Sequence, residues 1–239
     1  MYKALFLALI FLFGCCPPAL AANGDYLVLL HGIARTKSSM EELQKHFELH
    51  GYEVLNMDYP SRKYSIEKLA EYIHTDISTF NRDSKKKVHF VGYSLGGLVA
   101  RAYIKKHPPE NLGRVVTMGT PNKGSEFADM IGDLGVYEKL YGPAGQELTT
   151  THDYDTLFGK PEYDLGCIAG DRTIDPVATL MIIDGDDDGK VSVESTKVNG
   201  MKDHIVLHAT HTFMMNNEDV MREALYFIEN GKFEHKAEE

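Results

Sequence analysis

Short apolar runs alternate with amphipathic segments along most of the chain. Tyr26-Leu27-Val28-Leu29-Leu30 is a continuous apolar run ending at His31-Gly32, the pattern of a strand buried on both faces. Ser38 or Ser39 can cap a helix reaching about His50, with Leu43, Phe47 and Met40 on one face, and Gly51 stops it. Residues 52–57 predict the next strand, followed by a turn at Asp58-Tyr59-Pro60-Ser61. Over residues 65–80, Ile66, Leu69, Ile73 and Ile77 recur at helical spacing. Residues 88–92 read as a strand. The helix that Ser94 opens carries Leu98, Ala102 and Ile104 and ends at His107-Pro108-Pro109, where proline cannot continue it. Strands at 113–118, 165–169 and 204–207 and a helix over 217–228 complete the alternation. Residues 122–164 break this rhythm, and Leu180-Met181-Ile182-Ile183 suits helix or strand equally. Strands alternating with helices of this length predict an α/β fold, a mostly parallel sheet with helices on both faces, in one domain.

The N-terminus changes that picture. Lys3, an apolar stretch over 4–13, the break at Pro17-Pro18 and Ala19-Leu20-Ala21 read as a signal peptide over residues 1–21. The globular domain then spans 22–239. The apolar stretch is short of the ~20 residues a spanning helix needs. Secretion or periplasmic export is the expectation. The alternative is a lipoprotein anchored through Cys15, because Leu12-Phe13-Gly14-Cys15 resembles a bacterial lipoprotein box, although Phe13 is bulky for its place. Beyond the leader only Cys167 remains, so that part of the chain forms no internal disulfide, and the apolar neighbours of Cys167 mark it as a small core residue. The net charge of −10 argues against nucleic acid as a partner.

The chemistry-bearing pattern is Gly92-Tyr93-Ser94-Leu95-Gly96, a G-x-S-x-G between a β-rich run and a helix. A sharp strand-to-helix turn exposes the serine hydroxyl, and residues two before and two after it must lack bulk. Ser94 is therefore the candidate nucleophile. Acyl transfer also needs donors for the tetrahedral oxyanion. The N–H of Leu95, directly after the serine, is one candidate, and the N–H of Ile33, in the loop after the first strand, is the other. His31 precedes the serine and reads as a structural residue of that loop. The base is expected after the serine, where His204, His208 and His211 compete. His211 lies in the loop after the last strand, on the side where the elbow sits, and is preferred over His208. The acid is expected in Asp184-Gly185-Asp186-Asp187-Asp188-Gly189, with Asp188 preferred and Asp187 second. The same loop matches the first half of a calcium loop, with Asp184, Asp186 and Asp188 at alternate positions, but its twelfth position is Ser195 rather than a bidentate Glu. No metal is expected at the site, with calcium kept as a secondary reading.

These residues together resemble the bacterial lipase-like and esterase branch of the α/β-hydrolase superfamily over about residues 26–233. The resemblance rests on His31-Gly32-Ile33, on Gly92 to Gly97, and on Gly119-Thr120-Pro121-Asn122-Lys123-Gly124-Ser125. It rests equally on Asp188-Gly189-Lys190-Val191 and on His211-Thr212-Phe213-Met214-Met215. It implies the α/β-hydrolase fold with a truncated N-terminal sheet edge, because the oxyanion strand begins at Tyr26. It also implies Asp188 as acid and His211 as base. Tyr93 stands where many lipases carry His. Residues 122–164 fall where such enzymes place a lid, with Met130, Tyr137, Leu140, Tyr141, Leu148, Tyr154, Leu157 and Phe158 to line an acyl groove; a plainly packed loop is the alternative. The implied function is hydrolysis of carboxylic esters of lipid or other acyl groups, with contact to a membrane surface. The rivals are an acyltransferase using the same residues and a non-catalytic lipid-binding protein on this scaffold.

Overall fold

A computed structural model describes residues 24–132, 135–173 and 185–235. The expected leader with Cys15, the run 180–183, Asp184 and the Tyr137 side chain lie outside the described residues. Strands β1 (Tyr26–Leu30), β2 (Glu53–Met57), β3 (Val88–Tyr93), β4 (Leu112–Met118), β5 (Leu165–Gly170) and β6 (Asp203–Leu207) form a six-stranded sheet. Its order is β2-β1-β3-β4-β5-β6, and each of these pairings is parallel. The helices are α1 (Glu41–Leu49), α2 (Ile66–Phe80), α3 (Leu95–Lys106), α4 (Glu126–Gly132), α5 (Gly135–Gln146), α6 (Tyr154–Phe158) and α7 (Glu218–Asn230).

The two-residue period of β1 explains how the sheet is covered. Tyr26, Val28 and Leu30 enter the core shared with Leu69 and Ile73 of α2 and Leu98 of α3. Leu27 and Leu29 enter the opposite core with Leu43 and Phe47 of α1 and Phe227 of α7. Full burial of each such side chain stabilises the fold by about 1.5–3 kcal/mol, so apolar burial is the main force holding both helix layers to the sheet. Caps fix the helix ends. The Ser65 hydroxyl accepts from Lys68 N–H at 3.4 Å, the Asn217 side chain accepts from Asp219 and Val220 N–H, and Gly231 closes α7 in the left-handed region.

One expectation is corrected. Neither Ser38 nor Ser39 caps α1: residues Lys37–Met40 form a 3-10 turn, and the α-helix proper starts at Glu41. The Ser39 hydroxyl donates to the Thr36 carbonyl at 2.8 Å instead of accepting from a helix N–H.

After β2 the chain crosses to the other side of β1 and forms β3. The loops after β1 and β3 therefore leave neighbouring strand ends in different directions, which opens a crevice at the carboxyl edge of the sheet. The segment after β4 supplies α4, α5 and α6. Its Ala128, Ala144, Leu148 and Tyr154 are buried in the core shared with α3. Helix α5 is interrupted at Gly142, whose φ of 64° and close approach to the Arg62 carbonyl exclude any side chain. No helix among the described residues is long and apolar enough to cross a membrane.

Candidate active site

Ser94 sits between β3 and α3 with φ 53° and ψ −122°, a conformation that L-residues with a Cβ rarely adopt. Hydrogen bonds on both sides hold it there. Its N–H donates to Met118 O at 2.8 Å, and its carbonyl accepts from Thr120 Oγ1 at 3.0 Å and from Gly97 N–H at 3.0 Å. The flanking glycines are required sterically. A Cβ on Gly92 would lie 2.5 Å from the Gly97 backbone, and one on Gly96 would lie 2.1 Å from Leu30 O. A serine opening a helix ordinarily caps it, but the Ser94 side chain makes no capping bond. Its hydroxyl lies 3.1 Å from His211 Nε2 instead.

His211 begins the turn after β6. Its N–H donates to Asp188 O at 2.8 Å, and its Nδ1 lies 2.7 Å from Asp188 Oδ2. A carboxylate only accepts, so Nδ1 carries the proton and Nε2 is left to accept from the serine. The second carboxylate oxygen of Asp188 accepts from Lys190 N–H at 3.0 Å and Val191 N–H at 2.9 Å, across a turn that Gly189 makes at φ 99°. Ser94, Asp188 and His211 are all buried. The structure thus brings the three preferred residues together and leaves the competitors elsewhere. His208 is exposed and pairs with Asp171 at 3.1 Å, and His204 Nε2 meets the Thr196 hydroxyl at 2.9 Å. Asp187 uses its carboxylate to accept from Gly189 N–H at 2.6 Å. His31 is buried, stacks on Tyr59 with ring centroids 4.2 Å apart, and is held below its ordinary pKa by burial. Burial likewise pushes the Cys167 thiol up to about 11, so it is no nucleophile at neutral pH.

Ile33 lines the same cleft as Ser94 and His211. A Cβ on Gly32 would meet the Tyr93 ring at 2.8 Å and Ser94 Cβ at 3.2 Å, so the backbone preceding Ile33 runs against the elbow. Leu95 is the first residue of α3, and its N–H is one of those a helix start leaves without an intrahelical acceptor. Both oxygens of Asp188 are committed to His211 and the two amides, and Glu194 pairs with Lys123 and Lys197 at 2.5 and 2.8 Å.

Sequence reading missed several supporting residues. Tyr93 donates its hydroxyl to the His211 carbonyl at 2.7 Å, a role invisible in the middle position of G-x-S-x-G. Gly119, at φ 55°, faces the Asp188–His211 contact: a Cβ there would lie 2.9 Å from Asp188 Oδ2 and 3.2 Å from His211 Nδ1. Its place in Gly119-Thr120-Pro121 was the available signal. The 122–164 segment contributes Phe127, Ala128, Tyr141 and Leu148 to the cleft wall. Buried Arg101 ties that segment down, donating to Asn122 Oδ1 at 2.9 Å and Gly159 O at 3.1 Å.

A parallel sheet of this order, covered on both faces and carrying a strained serine after β3, defines an α/β-hydrolase. Bacillus licheniformis lipase BlEst2 in its mature form has the same fold, with a TM-score of 0.68 and 19% identity over 88% of this chain and 94% of that one. The palmitoyl protein thioesterase family model matches residues 27–155, more than half of the sequence, and the chain belongs to that family. A triacylglycerol lipase from Pseudarthrobacter phenanthrenivorans is 28% identical over 153 residues, 58% of this chain and 45% of the lipase. The lysosomal thioesterase PPT2 homolog of Drosophila melanogaster is 30% identical over 132 residues, 50% of this chain and 46% of the relative. These matches thus cover less than half the length of either relative.

Proposed function

We propose that the chain is a serine hydrolase that cleaves carboxylic esters or thioesters of acyl chains through Ser94, His211 and Asp188. The observation that carries this reading is the continuous contact from Ser94 Oγ to His211 Nε2 at 3.1 Å and from His211 Nδ1 to Asp188 at 2.7 Å. In the proposed reaction, Ser94 Oγ attacks the carbonyl carbon as its proton passes to His211 Nε2. Asp188 stabilises the imidazolium, and the N–H groups of Ile33 and Leu95 receive the oxyanion. The proton then goes to the leaving alcohol or thiol as the acyl-enzyme forms. Water, deprotonated by His211, releases the acid and restores Ser94.

The apolar wall supplied by the 122–164 segment supports an acyl substrate. Met130, Leu140 and Leu157 of that segment expose about half of their surface, which supports its working as a lid that meets lipid. On this reading the leader carries the protein out of the cytoplasm. The test is a chain-length series of p-nitrophenyl esters and matched thioesters, turned over by wild type beside Ser94→Ala. Turnover confined to wild type supports the reading, and equal turnover by both proteins contradicts it. Faster hydrolysis of emulsified than of dissolved ester supports the lid.

A further inference from the structure

We infer that the cleft beside Ser94 is built for substrates carrying an anionic group near the scissile acyl bond, and that Arg35 and Lys190 hold that group. The inference rests on the hydrolase reading above. Among the described residues, two cations line this cleft and no Asp or Glu does, in a chain with 35 acidic against 25 Lys and Arg residues. Chance placement in so acidic a protein would give the opposite balance.

Neither cation has an ion-pair partner within 4 Å among the described residues, so neither charge in the cleft is neutralised by a carboxylate salt bridge there. Asp188 is the acid that acts on Lys190, and both of its oxygens are already committed within the site. Lys190 also stands 5.7 Å over the Phe127 ring. Burial and the nearby Arg35 charge pull the Lys190 pKa down against the weaker pull of Asp188. Holding two like charges together in a partly buried cleft is unfavourable, and a bound anion relieves it.

The backbone delivers both side chains deliberately. Arg35 follows a tight turn in which its N–H donates to Gly32 O at 3.3 Å and Ala34 takes φ 55°, a strained value for a residue with a Cβ. The Ser61 hydroxyl accepts from Ala34 N–H at 3.1 Å and holds that turn. Lys190 is fixed by its N–H on Asp188 and by its carbonyl, which accepts from Ser125 Oγ at 2.8 Å. One cation thus comes from the Ile33 loop and the other from the Asp188 loop. Phe127, Tyr141 and Leu148 leave an apolar wall for the carbon chain. The fitting ligand chemistry is an acyl chain with a carboxylate or phosphate. That anion comes either from the far end of the acyl group or from the leaving group.

Two matched pairs separate these sources. Mono-p-nitrophenyl adipate against p-nitrophenyl hexanoate places the anion on the acyl side. S-hexanoyl-2-thioethyl phosphate against S-hexanoyl-2-thioethanol places it on the leaving side. After subtraction of spontaneous hydrolysis, wild type is expected to favour the anionic member of at least one pair by about tenfold in kcat/KM, the scale of a charged hydrogen bond. The preference lies mainly in KM and falls as ionic strength rises. Arg35→Gln and Lys190→Gln each shrink the anionic-to-neutral ratio, and Arg35→Glu lowers it further. Ratios of one or below in both pairs overturn the inference, while Ser94-dependent turnover of the neutral esters leaves the hydrolase reading standing. Calorimetry on Ser94→Ala protein gives a reading free of turnover. Tighter binding of monomethyl adipate than of methyl hexanoate supports an acyl-side anion site, tighter binding of the thioethyl phosphate than of the thioethanol ester supports a leaving-side one, and equal binding within both pairs overturns it.

Discussion

Ser94 and Gly119 show how single positions are committed to one task. The Ser94 hydroxyl is withheld from capping α3 by the same positive φ that turns it toward His211. Ser94→Ala is expected to lower kcat/KM by about 10^4-fold or more with little change in melting temperature, because a small buried hydroxyl is removed and the backbone is kept. Asp188→Asn leaves the shape but spoils the tautomer of His211, and a loss of about 10^3–10^4-fold in kcat is expected from steady-state kinetics. Gly119→Ala places a methyl group 2.9 Å from Asp188 Oδ2 in a left-handed conformation. A fall in kcat of about tenfold or more is expected, from the misplacement of a catalytic contact by a fraction of an ångström. Wild-type kcat in Gly119→Ala contradicts that geometry.

At the scale of elements, the insertion after β4 depends on one buried cation. Arg101 reaches from α3 to Asn122 and to Gly159, and Asn122 in turn donates to Thr196 O at 2.8 Å. Arg101→Ala strands the Asn122 and Gly159 oxygens, at a cost of about 2–4 kcal/mol. Thermal unfolding reads that cost, and an accompanying rise in KM larger than the fall in kcat reads the loosened cleft wall. The β-strands were legible from sequence as short, nearly continuous apolar runs, and α2 as an apolar repeat of period 3.6, with Ser65 and Gly51 marking element ends. Helices α4, α5 and α6 were not, because they are short and broken by Gly142 and Pro143, so no period accumulates. Ser94, Asp188 and His211 were legible as candidates because each lies beside a glycine or at a strand end where chain order restricts the choice. The glycine room around them and the Tyr93 bond depend on contacts between distant strands, which no local pattern encodes.

For the whole molecule, buried histidines set the response to acid. His89 is buried, accepts from Arg114 N–H at 2.9 Å through Nδ1, and is lowered from 6.5 to about 4, chiefly by desolvation. Below pH 6.5 the unfolded chain takes up a proton that the folded chain refuses. The stability from neutral His89 is therefore full above pH 6.5 and is lost as pH falls toward 4. His31, His46 and His204 are pulled the same way by burial. Acidification from neutrality to about pH 5 is expected to lower the melting temperature by roughly 5 °C or more, and His89→Gln to flatten that slope. A melting temperature that holds or rises over this range contradicts the assignment.

The proposed reaction depends first on Ser94 acting as the nucleophile. The most direct measurement is reaction of the folded protein with an alkyl fluorophosphonate, followed by peptide mass spectrometry. An adduct is expected on Ser94, absent from Ser94→Ala and formed far more slowly in His211→Gln. An adduct on another residue, or equal labelling of wild type and Ser94→Ala, contradicts it.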